Sequence, residues 1–193
     1  MRHATQSRET RETRITVDLN LDGDGTCTVS SGIPFLDHML TSWGRHGRFD
    51  LVIQAEGDLQ VGPHHTLEDI ALVLGSAFRE AIGEGRGIRR FAHAIIPMAG
   101  ARAMVAADIS GRPFCLFTAE FSGPIERMID PYLIEHFFTS LASTARITLH
   151  LEGTGRSDHH VCEALFKACG VTLHEATRIS DTTGSIPSTK GVL

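Results

Sequence analysis

The chain has 193 residues, of which 41% are hydrophobic, and a formal net charge of -5. This length predicts one domain with a sizeable core, and the mild acidity argues against a general nucleic-acid surface, which needs a basic stripe. No apolar run reaches the ~18 to 20 residues of a membrane span, and no signal peptide is visible, so we expect a cytoplasmic protein. The four Cys show no CxxC pairing, which argues against a zinc ribbon or disulfides.

The first half of the chain predicts strands followed by helices. Residues 1–14 are polar and are expected to be frayed at least up to Arg8. Apolar and polar residues alternate over 15–21, and the turn Asp22-Gly23-Asp24-Gly25 leads into 26–31, which predicts a β-hairpin. Pro34 then marks a helix start, a strand follows near 49–53, and a longer helix is predicted over about 66–83.

The second half repeats this order. A hairpin is predicted from 101–109 and 114–121, joined by Ser110-Gly111-Arg112-Pro113, and Pro131 marks the next helix start. A strand near 147–151 precedes a helix over about 161–178. The sequence therefore predicts an α+β fold of internally duplicated β-β-α-β-α half-domains, with sheets packed against helices. We expect one domain, 1–193, made of halves at about 9–95 and 96–193.

Both halves carry the same unusual pattern of His and carboxylate residues. The first copy is Asp37-His38 followed by His64-His65-Thr66-Leu67-Glu68, and the second is Glu135-His136 followed by His159-His160-Val161-Cys162-Glu163. His38 and His136 are 98 residues apart, and His65 and His160 are 95 apart. Neutral imidazole and carboxylate bind divalent metals, so the pattern predicts two metal sites related by an internal duplication.

The position of each His pair at a helix start restricts how it can bind. Adjacent side chains on a helix diverge by about 100°, so His64 and His65 should serve different metals. Glu68 is within reach of His64 at i, i+4 and of His65 at i, i+3, and the spacing does not decide between them. The same two alternatives hold for Glu163 with His159 and His160.

Four segments form longer motifs: Phe35-Leu36-Asp37-His38-Met39-Leu40, Gly62-Pro63-His64-His65-Thr66-Leu67-Glu68-Asp69, Arg89-Arg90-Phe91 and Pro187-Ser188-Thr189-Lys190-Gly191. Through them the chain resembles the imidazoleglycerol-phosphate dehydratase family, from about Arg8 to the C-terminus. The resemblance implies a carbon–oxygen lyase (hydro-lyase) of histidine biosynthesis. Such an enzyme converts D-erythro-imidazoleglycerol phosphate to imidazole acetol phosphate and water, and its fold is ribosomal protein S5 domain 2-like.

The resemblance also implies two Mn2+ ions per active site and a ligand set for each. One ion would take His38, His65, Glu68 and His159, and the other His64, His136, His160 and Glu163. This assignment selects the i, i+3 pairs and agrees with the divergence of adjacent His. It further implies that the ions lie between subunits of a homo-oligomer, a 24-mer.

The substrate is a small phosphorylated imidazole, and the resemblance assigns residues to it. The positions that match substrate contacts are Glu12, His46, Arg90, Arg112, Lys167, Ser188 and Lys190. Arg or Lys with a hydroxyl group is suitable chemistry for a phosphate. We nominate four residues for proton transfer or orientation, namely Glu12, His46, Glu163 and Lys167. The sequence does not say which of them removes the carbon proton.

Two other functions are compatible with a paired metal site. A dinuclear metallohydrolase acting on a phosphate ester would use its ions to activate water, but it would call for Asp-rich bridging ligands. A non-catalytic metal store or assembly module would give no role to Arg90, Arg112 or Lys190. The chain is too short to include a fused second enzyme, so we expect a monofunctional protein.

Overall fold

The computed structural model describes residues 2–126 and 129–193. Within them each half of the chain forms strands and helices in the same order. The first half contains β1 (His3–Glu9), β2 (Thr13–Asn20), β3 (Cys27–Ser30), α1 (Pro34–Gly47), β4 (Asp50–Gly57) and α2 (His64–Ile82). The second half contains β5 (Phe91–Met98), β6 (Ala101–Asp108), β7 (Phe114–Ala119), α3 (Pro131–Ala145), β8 (Thr148–Gly155) and α4 (Asp158–Thr177). The α+β class and the internal duplication are confirmed.

Each half has one more strand than the sequence predicted. The polar segment expected to be frayed forms β1, an edge strand paired with β2 from His3↔Asn20 to Glu9↔Arg14. Ala4 is its one buried residue, so the strand has almost no apolar face, and its sequence therefore does not show the usual alternation. The corresponding strand β5 pairs with β6 in the second sheet.

The predicted hairpins were wrong in their pairing. The sheet orders are β1-β2-β4-β3 and β5-β6-β8-β7, and the third strand of each half runs parallel to the fourth. The turn after β2 is fixed to the start of β4, because the Asp50 carboxylate accepts hydrogen bonds from the backbone N–H groups of Asp24 and Thr26. This contact places β3 beside β4 rather than beside β2. A helix then connects the two parallel strands, as a parallel crossover requires.

The helices lie in two layers between the sheets. In the first half α2 covers β1 and β2, and in the second half α4 covers β5, β6 and β8. Each long helix also packs against the short helix of the other half, α2 against α3 and α1 against α4. Buried residues of both halves form one hydrophobic cluster. The two halves therefore share a core.

A glycine allows the close approach at each of these helix contacts. A Cβ on Gly75 of α2 would lie 2.6 Å from the backbone oxygen of Leu141 in α3. A Cβ on Gly170 of α4 would lie 2.3 Å from the backbone oxygen of Trp43 in α1. Both distances are shorter than an ordinary van der Waals contact, so a larger residue would push the helices apart. In the described ranges, no helix is long and apolar enough to span a membrane.

Candidate active site

The contact between α2 and α3 gathers one group of metal-ligand candidates. His64 and Glu68 project from the first turns of α2, and His136 projects from α3. The Nε2 atoms of His64 and His136 lie 3.6 and 3.3 Å from the two carboxylate oxygens of Glu68. One ligand atom from each of the three residues lies within 4.8 Å of the others. Two imidazoles and a carboxylate therefore converge on one point.

The contact between α1 and α4 gathers a second group of the same composition. His38 comes from α1, while His159 and Glu163 come from the start of α4. The Nε2 atoms of His38 and His159 lie 3.3 and 3.5 Å from the same Glu163 oxygen. Their three ligand atoms also fall within 4.8 Å of one another. The two groups occupy matching places in the two halves, as the duplication predicted.

The structure brings six of the eight predicted ligands together, in groups that differ from the sets that the resemblance implied. Within one chain, Glu68 and Glu163 contact the His at i, i+4, which are His64 and His159, and not those at i, i+3. Packing of α2 against α3 adds His136 to the first group, and packing of α4 against α1 adds His38 to the second. The resemblance implies that the sets draw on more than one subunit, so their assignment to two ions stays a prediction.

The remaining two histidines, His65 and His160, point away from these groups. Each ring lies 5.9 Å from that of its neighbour and is steeply inclined to it, at 76° for His64 and His65 and 89° for His159 and His160. The divergence expected for adjacent helical side chains is therefore present. His65 Nδ1 lies 3.1 Å from the Asp58 carboxylate and 3.8 Å from Glu12, and the Asp58 hydrogen bond raises the pKa of His65.

Three of the four residues nominated for proton transfer lie close together. Lys167 Nζ contacts Glu163 Oε1 at 2.7 Å, one helical turn along α4. Burial acts to raise the pKa of Glu163, but the hydrogen bond and charge of Lys167, together with His38, hold this pKa below its ordinary value. Burial lowers the pKa of His46, and the positive charge of Lys167 lowers it further. Glu163 is therefore ionised and His46 neutral at pH 7.

The predicted phosphate-binding residues lie around one carboxylate. Arg90 Nε donates to Asp108 at 2.7 Å, and Arg112 Nη2 lies 3.6 Å from the same carboxylate. Arg90 Nη1 also donates to the backbone oxygen of Pro187, at 2.8 Å, which holds the segment containing Ser188 and Lys190 nearby. Contacts with Asp108, at the end of β6, and with Arg90 thus bring together the residue before β5, the loop between β6 and β7, and the C-terminal segment.

Comparison with known proteins identifies the family. A family model described as imidazoleglycerol-phosphate dehydratase matches residues 31–173. The chain belongs to the imidazoleglycerol-phosphate dehydratase family. Relatives carrying this name from Methanospirillum hungatei and Methanoculleus marisnigri are 57% and 54% identical over 193 residues, covering all of this chain and all of theirs.

Solved structures of the dehydratase family share the fold. The enzyme from Staphylococcus aureus is 33% identical and superimposes with a TM-score of 0.81, covering 90% of this chain and 97% of its own. The protein from Pyrococcus furiosus is 35% identical, also with a TM-score of 0.81, covering 97% of this chain and 99% of its own. The similarity therefore extends over both halves of the chain and includes the residues of both metal-ligand groups.

Sequence reasoning about this dehydratase-family chain missed several neighbours of the site. Tyr132 stacks on His136, with ring centroids 5.5 Å apart, and Phe35 meets the edge of His159 at 5.4 Å. Asp58 and Asp108 were also missed. Tyr132 offers a signal, because it precedes His136 by one helical turn and is the single Tyr of the chain. The two Asp offer none, since each contact depends on how the chain turns at the end of a strand, β4 for Asp58 and β6 for Asp108.

Proposed function

We propose that this chain removes water from imidazoleglycerol phosphate to give imidazole acetol phosphate, a step of histidine biosynthesis. The observation that carries the proposal is the pair of groups with two His and one Glu, each built from both halves of the chain. The family match and the full-length relatives support the same reaction. A cytoplasmic location stays a prediction.

The residues of each group fit a divalent metal ion. Imidazole nitrogen and carboxylate oxygen are suitable ligands for ions from manganese to zinc. His136 Nε2 provides a separate test, because it is buried and has no hydrogen-bond partner in the described part of the chain. Its contact with Glu68 lacks hydrogen-bond geometry, so a cation between them would satisfy both. We propose two Mn2+ ions per active site, as the resemblance implies.

The protein side chains supply proton transfer and orientation. Bound divalent cations provide Lewis acidity, which stabilises negative charge on the imidazole ring of the substrate. Glu163 is held ionised beside Lys167 and can accept a proton, while neutral His46 can accept one or pass one on. The Glu12 carboxylate lies 3.8 Å from His65 Nδ1. We assign proton transfer and substrate orientation to Glu12, His46, Glu163 and Lys167.

The phosphate of the substrate requires a separate cationic site. We assign it to Arg90, Arg112, Ser188 and Lys190, which the structure supports by holding Arg90 and Arg112 at Asp108 and the C-terminal segment at Arg90. Guanidinium groups bind phosphate through paired, charge-assisted hydrogen bonds. Asp108 keeps the two arginines together before the substrate arrives, which reduces the entropy lost on binding.

The ions would be completed by other copies of the chain. His65 and His160 lie outside the two groups of a single chain, although the resemblance makes them ligands. The outer face of the second sheet is also apolar, and Phe91, Ile95 and Phe114 are each more than half exposed on it. Apolar faces of this kind mark contacts with other proteins. We therefore propose a homo-oligomer, and the 24-mer of the family as its form.

Neither alternative function gains support. Each group contains one carboxylate and two imidazoles, whereas a dinuclear hydrolase would call for carboxylates that bridge its ions. A metal store would leave the Arg90, Asp108 and Arg112 cluster without a role.

An activity assay with imidazoleglycerol phosphate tests the proposal. The protein as purified, the chelated protein and the chelated protein reloaded with Mn2+ are compared for formation of the ketone product. We expect activity in the first and third samples only. Full activity in protein shown to be metal-free, or release of inorganic phosphate in place of the ketone, would contradict the proposal.

A further inference from the structure

In each His pair, the Nδ1 atom of one histidine contacts a carboxylate. His65 Nδ1 lies 3.1 and 3.2 Å from the two oxygens of Asp58. His159 Nδ1 lies 2.7 Å from Glu126 Oε1. Asp58 follows β4 and Glu126 precedes α3, so each carboxylate comes from a segment outside the helix that carries its histidine. Neither carboxylate is a member of the two metal-ligand groups.

These contacts determine which ring nitrogen carries the proton and which has a lone pair available for a metal ion. An ionised carboxylate only accepts hydrogen bonds, so Nδ1 must carry the proton and donate it. The lone pair of the neutral ring is then on Nε2. In His159 this is the atom that faces Glu163, at 3.5 Å, inside the second group. By the same chemistry, the atom that His65 can offer to a metal is Nε2.

Asp58 is itself held in place. Its side chain is only 17% exposed. Its backbone N–H donates to the backbone oxygen of Glu12 at 3.0 Å, and its backbone oxygen accepts from the backbone N–H of Val61 at 2.8 Å. The segment that includes Glu12 is tied to α2 in turn, because Thr13 Oγ1 donates to the buried carboxylate of Asp69. The carboxylate of Asp58 is therefore part of a connected structure that reaches the helix of His65, and not a loose surface contact.

We propose that Asp58 is a positioning residue for His65, and Glu126 for His159: each carboxylate fixes the tautomer and orientation of its ring so that Nε2 is presented to a divalent cation. The inference rests on the proposed function, because it takes both histidines as metal ligands. It adds two residues that touch neither the ion nor the substrate. Such partners of ligating histidines raise the basicity of the ligand and fix its direction.

The test measures metal affinity rather than turnover. Equilibrium dialysis with elemental analysis gives the Mn2+ dissociation constants of the wild type, Asp58→Ala and Asp58→Asn. We expect Asp58→Ala to weaken one class of ion by about 10- to 100-fold, as removal of such a partner does elsewhere. Asp58→Asn should recover most of this loss, because its amide oxygen can still accept from Nδ1. Glu126→Gln should weaken the affinity for the ion bound by His159 less than Glu126→Ala does.

Asp18→Asn is the matched control, because Asp18 makes a similar contact with His3 Nε2, at 3.0 Å, on an exposed sheet face. This substitution should leave the Mn2+ dissociation constants of both ions unchanged. The inference is overturned if Asp58→Ala binds both ions as the wild type does. It is also overturned if both Asp58 variants lose both ions equally and unfold at a lower temperature, since this is the result of a purely structural role. Failure of the proposed function would be seen in the wild type itself, as absence of Mn2+ binding or of dehydratase activity.

Discussion

The Nε2 atom of His136 is buried and has no hydrogen-bond partner among the residues that the structure describes. Leaving such a nitrogen unsatisfied costs about 1 to 3 kcal/mol. Tyr132 covers the ring from one side, and Glu68 stands 3.3 Å away from the nitrogen. A cation bound between His136 and Glu68 would remove this cost.

This cost leads to a prediction for His136→Ala. The variant should lose the ion of its group and nearly all turnover, while the metal-free variant should be no less stable than the metal-free wild type, because no nitrogen is left unsatisfied. Elemental analysis and the unfolding temperature of the chelated proteins measure both effects. His3→Ala, at an exposed position of the first sheet, is the control and should behave as the wild type. Retention of all metal by His136→Ala would contradict the prediction.

At the scale of residues, six of the eight metal ligands that the sequence predicted lie in the two groups, but the sequence did not show how they pair. The repeat of His64, His65 and Glu68 is visible because its members are close in sequence. The choice between i, i+3 and i, i+4 is not visible, because both positions lie within one turn of a helix. Asp58 could not be predicted either, since its contact with His65 depends on where the chain turns after β4.

At the scale of elements, the turn between β2 and β3 decides the topology of the first sheet. Asp50 accepts hydrogen bonds from Asn20, Asp24 and Thr26, and the bond from the Asp24 backbone is the main cause that lowers the pKa of Asp50. A Cβ on Gly23 would lie 2.4 Å from this carboxylate, so glycine is needed for the approach. The sequence predicted the turn correctly. It did not show the contact of the turn with Asp50, which lies more than 20 residues further along the chain.

The lowered pKa of Asp50 gives a prediction with a defined sign. The carboxylate stabilises the fold above its unfolded pKa, and this contribution is lost as the pH falls through the lower folded pKa. Asp50→Asn should reduce the free energy of unfolding at neutral pH by about 1 kcal/mol, after allowance for solvent screening. The difference from the wild type should shrink as the pH falls, and disappear at an acidic pH below the folded-state pKa of Asp50.

Denaturant titration at the two pH values measures this difference. Asp24→Asn, which changes a neighbouring carboxylate that accepts from the Thr26 side chain, is the control and should change stability less. An equal deficit of Asp50→Asn at both pH values would show that ionisation of Asp50 does not contribute.

The close helix contacts predict that the protein does not tolerate larger residues at two glycines. Gly75→Ala and Gly170→Ala should each destabilise the protein by about 1 to 3 kcal/mol, because the new methyl group would collide with the backbone of the facing helix. Calorimetry on the metal-free proteins measures the loss. Gly123→Ala is the control, since nothing lies within 4 Å of its added Cβ. Wild-type stability in both helix variants would show that the helices can separate without cost.

At the scale of the whole molecule, the two halves have the same fold but different outer surfaces. The outer face of the first sheet is polar, with Thr16, Asp18 and Gln54 on it, whereas that of the second sheet exposes Phe91, Ile95 and Phe114. The duplication and the layered α+β arrangement could be predicted from the repeat. The pairing of the halves could not, because it depends on Gly75 and Gly170, whose role shows only once the helices are packed.

Metal removal should reduce the size of the assembly as well as abolish activity. Ions that take ligands from two subunits favour the oligomer by mass action. Low pH should have the same effect, because imidazole must be neutral to bind a metal and its ordinary pKa is about 6.5. Light scattering on Mn2+-loaded and chelated protein at neutral pH, and on loaded protein at decreasing pH, gives the mass. Reloading should restore it. An unchanged mass after verified removal would mean that other contacts hold the subunits together.

Each candidate metal group takes a His and a Glu from one half and its second His from the other. A polypeptide of half this length could therefore complete such a group only by pairing with a second copy of itself, and both groups of that symmetric dimer would be identical. With both halves in one chain, the two groups need not be identical. Lys167 now stands beside the second group, where the first half has Leu72 at the matching position. The internal duplication within one chain therefore allows the two ligand sets to differ in their neighbours and to have separate tasks.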